Sequence, residues 1–257
     1  MEMAKIGPGK RGGNCRLALT DSDVEARKLF QKWAVAADCS LRIDSMGNLF
    51  ARREGKNQNA PPVMSGSHLD TQPSGGKFDG VLGVLGALEV LRTLNDSSIE
   101  TEVPIEIVVW TNEEGARFSP AMMGSGVFTG VFDQSKVYTH QDKKGKTVEQ
   151  ELKRTKQLGE TTCKIFPIKA YYELHIEQGP VLENNKLDIG VVTGGQGSYW
   201  TNITLYGQSS HAGTTPMKYR KDPIMGASKI ISKFRELVLN QAEAVATIGR
   251  FETHPSS

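Results

Sequence analysis

Cysteine is scarce in this chain. Three residues in 257, Cys15, Cys39 and Cys163, are widely spaced and odd in number. No Cys-x-x-Cys pair exists, so neither a zinc ribbon nor a disulfide framework is supported, and a reducing cytoplasm is the expected location. Long hydrophobic runs are missing too. None approaches the roughly 20 apolar residues of a membrane span, and residues 1–20 hold no apolar signal-type core. The expectation is a soluble protein, or one whose targeting segment has been removed. Charge of one sign is also lacking: the net charge is +2, which favours neither nucleic acid nor a membrane surface as partner. The run Lys143-Lys144-Gly145-Lys146 reads as a solvated loop. The glycines between Gly80 and Gly86 do not form Gly-x-Gly-x-x-Gly, and no Gly-Lys-Ser/Thr occurs, so phosphate-cradling loops are excluded. Gly124-Ser125-Gly126 lacks the nucleophile-elbow context and no cysteine has a histidine neighbour, which disfavours serine and cysteine nucleophiles.

What is present is an ordinary globular composition, 38% hydrophobic and 23% charged, long enough for one large or two modest domains. Thr20-x-x-Asp23 resembles a capping box, and Val24, Leu29, Phe30, Trp33 and Ala37 trace a helical face. Leu41 to Arg53 reads as a hairpin turning at Met46-Gly47-Asn48. Val63 to Ser67 is a buried-type strand, and Gly80 to Leu94 an apolar helix whose Gly83 and Gly86 suggest close packing on a sheet. Pro104 to Trp110 is a second strand, Thr147 to Leu158 a charged, exposed helix, and Tyr171 to Ile176 a third strand. A hairpin is expected around Glu183-Asn184-Asn185-Lys186, leading into Leu187 to Thr193. Alternating strands and helices argue for an α/β sheet with its site at the strand ends. The glycine-dense joint Thr193-Gly194-Gly195-Gln196-Gly197 then separates residues 1–196 from residues 197–257. The second part reads as half of a small α+β unit: a strand from Trp200 to Tyr206, a loop with His211, a helix from Asp222 to Leu239, and a strand from Ala244 to Phe251.

The chemistry-bearing residues cluster at strand ends. His68 follows the first buried strand, and Asp70 is placed to hold its far ring nitrogen. Asp79 opens the following helix and is suited to bridging two metals. Glu113 and Glu114 follow the second strand, one able to bind metal while the other moves protons. His175 adds another imidazole on the third. Each feature alone has a plain structural reading: His-x-Asp is common, paired glutamates usually face solvent, Asp79 suits a helix N-cap, and a strand histidine often sits satisfied in a core. Their joint recurrence after hydrophobic strands points instead to imidazole and carboxylate ligands for divalent metals.

Six segments taken together resemble the amidohydrolase branch of the M20 (aminoacylase-like) di-metal family, which contains N-carbamoyl-L-amino acid hydrolases, allantoate amidohydrolases and β-ureidopropionases. They are Arg16-Leu-Ala-Leu-Thr-Asp21, Gly66-Ser-His-Leu-Asp-Thr71, Gly76-Lys-Phe-Asp-Gly80, Asn112-Glu-Glu-Gly-Ala-Arg-Phe118, Leu174-His-Ile-Glu-Gln-Gly-Pro180 and Gly207-Gln-Ser-Ser-His-Ala-Gly-Thr-Thr-Pro216. The resemblance implies a Zn-peptidase-like catalytic domain with a central mixed sheet, plus part of a small α+β lid and dimerisation domain. It implies two divalent metal ions, Zn or Mn, with Co or Ni as alternatives. His68 and His175 would be terminal ligands on one metal, Asp79 the bridge, Glu114 a ligand of the other, and Glu113 the general base. Gln178 would contact substrate, and His211 would polarise the scissile carbonyl, in this family often across a dimer interface.

The family's further C-terminal metal histidine, and the lid asparagine and arginine that grip the substrate carboxylate, have no counterpart before Ser257. The chain therefore reads as C-terminally truncated, with its second metal position incomplete. The implied activity is hydrolysis of a ureido C–N bond in a small molecule, giving amine, CO2 and ammonia, by a homodimer. The competing expectations are a dipeptidase or aminoacylase on the same scaffold, and a catalytically inactive fragment or interaction module.

Overall fold

The hydrophobic run ending at Trp110 becomes the middle strand of a five-stranded sheet. Strands β1 (Ser40–Ile43), β2 (Leu49–Arg53), β3 (Val63–His68), β4 (Ile105–Trp110) and β5 (Ala170–Tyr172) lie in the order β1-β2-β4-β3-β5. The pairs β1–β2 and β2–β4 are antiparallel, whereas β3–β4 and β3–β5 are parallel, so the sheet is mixed. In this computed structural model residues 1–241 and 244–255 are described. They divide into two compact units, Met1–Ile189 and Gly190–Ser257.

Strand periodicity sorts the core into two layers. Leu49, Ala51, Ile107 and Val109 face helices α1 (Asp21–Val35) and α2 (Val81–Asp96), packing with Phe30, Ala34, Val84, Leu88 and Leu91. Phe50, Val108 and Trp110 face the opposite way, against α3 (Met123–Phe128), α4 (Gln134–Tyr138) and α5 (Val148–Arg154), where they meet Phe118, Phe128, Val137 and Leu152. A sheet covered on both faces explains why Ile-Glu-Ile-Val-Val-Trp is almost continuously apolar. Its one charged residue, Glu106, is buried and pairs with Arg42 at 2.9 Å.

Local chemistry sets the turns. Asp44 accepts hydrogen bonds from the amides of Met46 and Asn48, and Gly47 takes φ +78°, closing the expected β1–β2 hairpin. At the start of α1 the Thr20 hydroxyl accepts from the Asp23 amide. Asp23, however, reaches the Leu19 amide rather than that of Thr20, because its carboxylate is also held by buried Arg27 at 3.2 Å. Only half of the capping box forms.

Several expected elements take another form. α5 is not an exposed helix: Val148, Glu151 and Leu152 are buried, and Arg117 and Arg154 neutralise Glu151. β5 ends at Tyr172, so His175 follows a strand instead of lying in one. The region around Glu183 is a single helical turn, α6 (Val181–Asn184), closed by Lys186 at φ +55°, and Leu187 to Thr193 forms no strand. The second unit contains the helix α7 (Pro223–Leu239), N-capped by Asp222 with Pro223 as its first residue. Neither Trp200 to Tyr206 nor Ala244 to Phe251 is a strand. An alternating segment becomes a strand only with a ladder partner, and no strand forms among the unit's described residues.

Candidate metal centre

Parallel pairing brings the candidate residues together. His68, the last residue of β3, lies opposite Trp110, the last of β4. The loop carrying Asp70 and Asp79 and the turn carrying Glu113 and Glu114 therefore leave the sheet at one edge. β5 runs parallel to β3, with Ser65 opposite Tyr172, and sends the segment with His175 and Gln178 to the same edge.

His68, Asp79 and His175 converge there, with one ligand atom from each lying within 4.8 Å of the others. The Nε2 atoms of His175 and His68 stand 3.4 and 3.8 Å from the same oxygen, Asp79 Oδ1. Each ring has its Nδ1 on a main-chain carbonyl: His68 on that of Asp70 at 2.8 Å, His175 on that of Ile176 at 2.9 Å. A carbonyl only accepts, so Nδ1 bears the hydrogen and the neutral ring presents its Nε2 lone pair to the cluster. Tetrahedral ligands about 2.0–2.1 Å from a zinc ion stand roughly 3.3 Å apart. The His175–Asp79 separation already matches this and the His68 separation is close, so the donor set fits a divalent cation. Space for the His68 ring depends on Gly80 at φ +64°, where a Cβ would lie 2.5–2.6 Å from its Cε1, Nε2 and Cδ2.

Carboxylates surround this pair. Glu113 Oε2 lies 3.4 Å from His68 Nε2 and remains partly open to solvent. Burial raises the Glu113 carboxyl above the ordinary range; protonation of the nearby His68 would work against this, while Glu114 and Glu173 add to it. For His68 burial opposes the imidazolium, but Asp70, Glu113 and the Asp70 carbonyl outweigh it and the net direction is upward. The fully buried Asp70 carboxyl is likewise raised, by desolvation above all.

The Asp70 carboxylate does not hold the His68 ring as expected. It is 4.0 Å from Nδ1, and the Asp70 backbone carbonyl takes that contact. The carboxylate instead accepts the amides of Glu113 and Glu114, each at 3.3 Å, tying the end of β4 to the loop after β3. Asn112, at φ +52° and anchored to the Phe118 and Pro120 carbonyls, turns the chain just before those amides.

The other candidates are placed differently. Glu114 lies outside the three-ligand cluster, and its carboxylate is taken by the Gln72 amide and side chain at 3.1 and 2.8 Å. Gln178 donates to Asp79 Oδ2, leaving Oδ1 for the two histidines. Thus one three-ligand cluster is present among the described residues, not two. His211 lies in the second unit, where its Nδ1 accepts the amides of Gly213 and Thr214 at 3.0 and 3.1 Å. Its neutral ring therefore carries hydrogen on Nε2, the reverse of His68 and His175. Sequence reasoning missed Gln72, Gly80 and the Ser67–Glu173 bond at 2.6 Å. Gly80 and Ser67 lay within quoted motifs, but only the fold reveals what they touch.

The sequence matches the family described as Peptidase family M20/M25/M40 over residues 64–254. It is 49% identical to an N-carbamoyl-L-amino-acid amidohydrolase of Rhizobium meliloti, covering 100% of this chain and 62% of that protein. It is 38% identical to an N-carbamoyl-L-amino acid amidohydrolase of Geobacillus stearothermophilus, covering 99% and 63%. The crystal structure of an amidase of the hydantoinase/carbamoylase family from Burkholderia vietnamiensis superposes with a TM-score of 0.88 at 48% identity, covering 100% of this chain and 62% of that one. The chain thus spans a little over three-fifths of the length of these relatives.

Proposed function

The chain belongs to Peptidase family M20/M25/M40, and from this premise we propose that it is the metal-binding part of an amidohydrolase that cleaves a ureido (N-carbamoyl) C–N bond. The observation that carries the reading is the pair of Nε2 lone pairs of His68 and His175 converging on Asp79 Oδ1, with Glu113 3.4 Å from His68. The curated relatives named above, N-carbamoyl-L-amino-acid amidohydrolases, supply the bond type.

His68, Asp79 and His175 would hold a divalent metal, Zn or Mn with Co or Ni as alternatives. Such an ion supplies Lewis-acid polarisation and makes water more acidic. Glu113 is assigned as general base: its partly exposed carboxylate takes a proton from the attacking water and returns it to the leaving nitrogen. His211 is assigned as donor to the carbonyl oxygen, supported by the N–H its ring carries on Nε2. The products are the free amine and carbamate, which breaks down to CO2 and ammonia.

Gln178 is assigned to substrate binding and Glu114 to a second metal position, each after release from its present partner, Asp79 or Gln72. We assign residues 1–196 to catalysis and residues 197–257 to a lid through which a homodimer forms. The exposed Ile224, Ile230, Phe234 and Leu237 on α7 support the second assignment. No described helix is long and apolar enough to cross a membrane, and a cytoplasmic location is proposed alongside a small-molecule ureido substrate.

The test is ammonia release from N-carbamoyl-L-amino acids with added Zn or Mn, comparing the wild type with Glu113→Gln. The expected loss is about 10²–10⁴-fold with metal binding retained. A variant that binds metal and turns over at the wild-type rate would sink the base assignment.

A further inference from the structure

Beyond Tyr172 the chain no longer pairs with the sheet, yet it must deliver His175 to a point facing His68. Glu173 makes the connection. Its Oε1 accepts from the Ser67 hydroxyl at 2.6 Å and its Oε2 from the Tyr171 hydroxyl at 2.6 Å. The Tyr171 oxygen in turn accepts from the Trp110 indole N–H at 3.0 Å. Ser67 is fully buried and immediately precedes His68, Trp110 ends β4, and Tyr171 belongs to β5. One carboxylate therefore joins three adjacent strands just before they hand over to the metal centre.

Bonds from hydroxyls to an ionised carboxylate are shorter and stronger than neutral ones, which suits a tether. The neighbouring residue adds a steric stop. The Leu174 carbonyl oxygen sits 2.5 Å from where a Cβ on Gly83 would lie, so the segment is pressed against α2. After His175, Gln178 donates to Asp79. His175 is thus bracketed by two side-chain ties, Glu173 to β3 and Gln178 to the loop before α2.

We propose that Glu173 is a positioning residue of the metal centre, which through Ser67 sets the spacing between the imidazoles of His175 and His68 and hence the affinity for a divalent cation. This rests on the metal-centre reading above. Glu173 itself is exposed and outside both core layers. Its loss should therefore act on cation affinity far more than on global stability.

The experiment is calorimetric titration of zinc into the metal-free chain, with thermal melts of the same samples. The wild-type signal is assigned to this centre by its disappearance in His175→Ala. Glu173→Ala and Ser67→Ala should each weaken zinc binding about 10–100-fold, with metal-free melting close to the wild type. The double variant should bind no more weakly than the weaker single, because both remove one interaction. Glu173→Gln, which keeps an acceptor for the Ser67 hydroxyl, should recover most of the affinity. If Glu173→Ala melts lower without metal, Ser67→Ala carries the test. Wild-type zinc affinity in Ser67→Ala, or strictly additive losses in the double variant, would overturn the proposal. A wild type that binds no zinc would instead overturn the metal-centre reading, a result visible before any Glu173 variant is made.

Discussion

Gly80→Ala tests the geometry of the centre directly. Residue 80 holds φ +64° and ψ −43°, outside the left-handed helical well, and so sparsely populated a backbone costs an L-residue about 1–3 kcal/mol. The new methyl would stand 2.5 Å from the His68 ring, where ordinary contact begins at 3.4 Å, so the ring has to retreat by about 1 Å. It has little room to do so, being 1% exposed with Nδ1 fixed on the Asp70 carbonyl. Overpacking of this kind adds about 1–3 kcal/mol. The total of about 2–6 kcal/mol corresponds to a drop in Tm of roughly 4–24 °C at this chain length. Metal–ligand distances tolerate only about 0.2 Å, so zinc affinity should fall even in the molecules that stay folded. The assay is thermal melting with and without zinc, paired with titration calorimetry. Gly145→Ala is the control for an added methyl without a clash: it has φ +74° and nothing within 4 Å of the new atom, so it should lose only its own turn's backbone cost and keep zinc binding. A Gly80→Ala protein that melts like Gly145→Ala and binds zinc like the wild type would refute the reasoning.

Three further outcomes are expected. Gly83→Ala would place a methyl 2.5 Å from the Leu174 carbonyl and 2.8 Å from Ser67 Cβ; prying α2 from the sheet should lower stability by about 1–3 kcal/mol in urea titration, and an unchanged midpoint would contradict it. Asp70→Asn replaces one acceptor oxygen with a donor, so one of the Glu113 and Glu114 amides loses its partner. Hydrogen exchange at these two amides should speed up while exchange in β4 stays slow, and equal protection would count against the tie. Burial raises the Glu106 carboxyl, with Arg42 opposing, so the folded protein holds that proton more tightly than the unfolded chain. That contribution is complete below the ordinary carboxyl range and is lost as pH rises through the raised value. Glu106→Gln cannot ionise and should gain on the wild type as pH climbs through that window in paired melts. A difference independent of pH would refute the assignment.

The fold of the first unit was largely legible in the sequence. Val63 to His68, Val81 to Asp96 and Ile105 to Trp110 combine strong periodicity with bounding turns, so each element follows from its own residues. Legibility failed where structure depends on a partner. The alternation in Trp200 to Tyr206 and Ala244 to Phe251 has no ladder to join among the described residues, and β5 stops at Tyr172 although apolar residues continue. α5 looked exposed because Glu151 is charged, and its burial is made tolerable by Arg154 one turn away together with Arg117, far away in sequence.

The candidate site divides along the same line. The residue types at the strand ends, together with their order along the chain, were set by the sequence alone: His68, Asp79, Glu113, Glu114 and His175 carry a metal-hydrolase vocabulary wherever they fold. Tertiary structure decided which of them meet. Parallel pairing at one sheet edge joins His68, Asp79 and His175 and leaves Glu114 with Gln72. The ring chemistry, by contrast, is set by backbone groups one to three residues away: a carbonyl on Nδ1 turns His68 and His175 into lone-pair donors, and two amides on Nδ1 turn His211 into an N–H donor. A side chain's identity and the face it presents are local here, whereas His68 and His175, far apart in sequence, share Asp79 Oδ1 only because parallel pairing carries their segments to one end of the sheet.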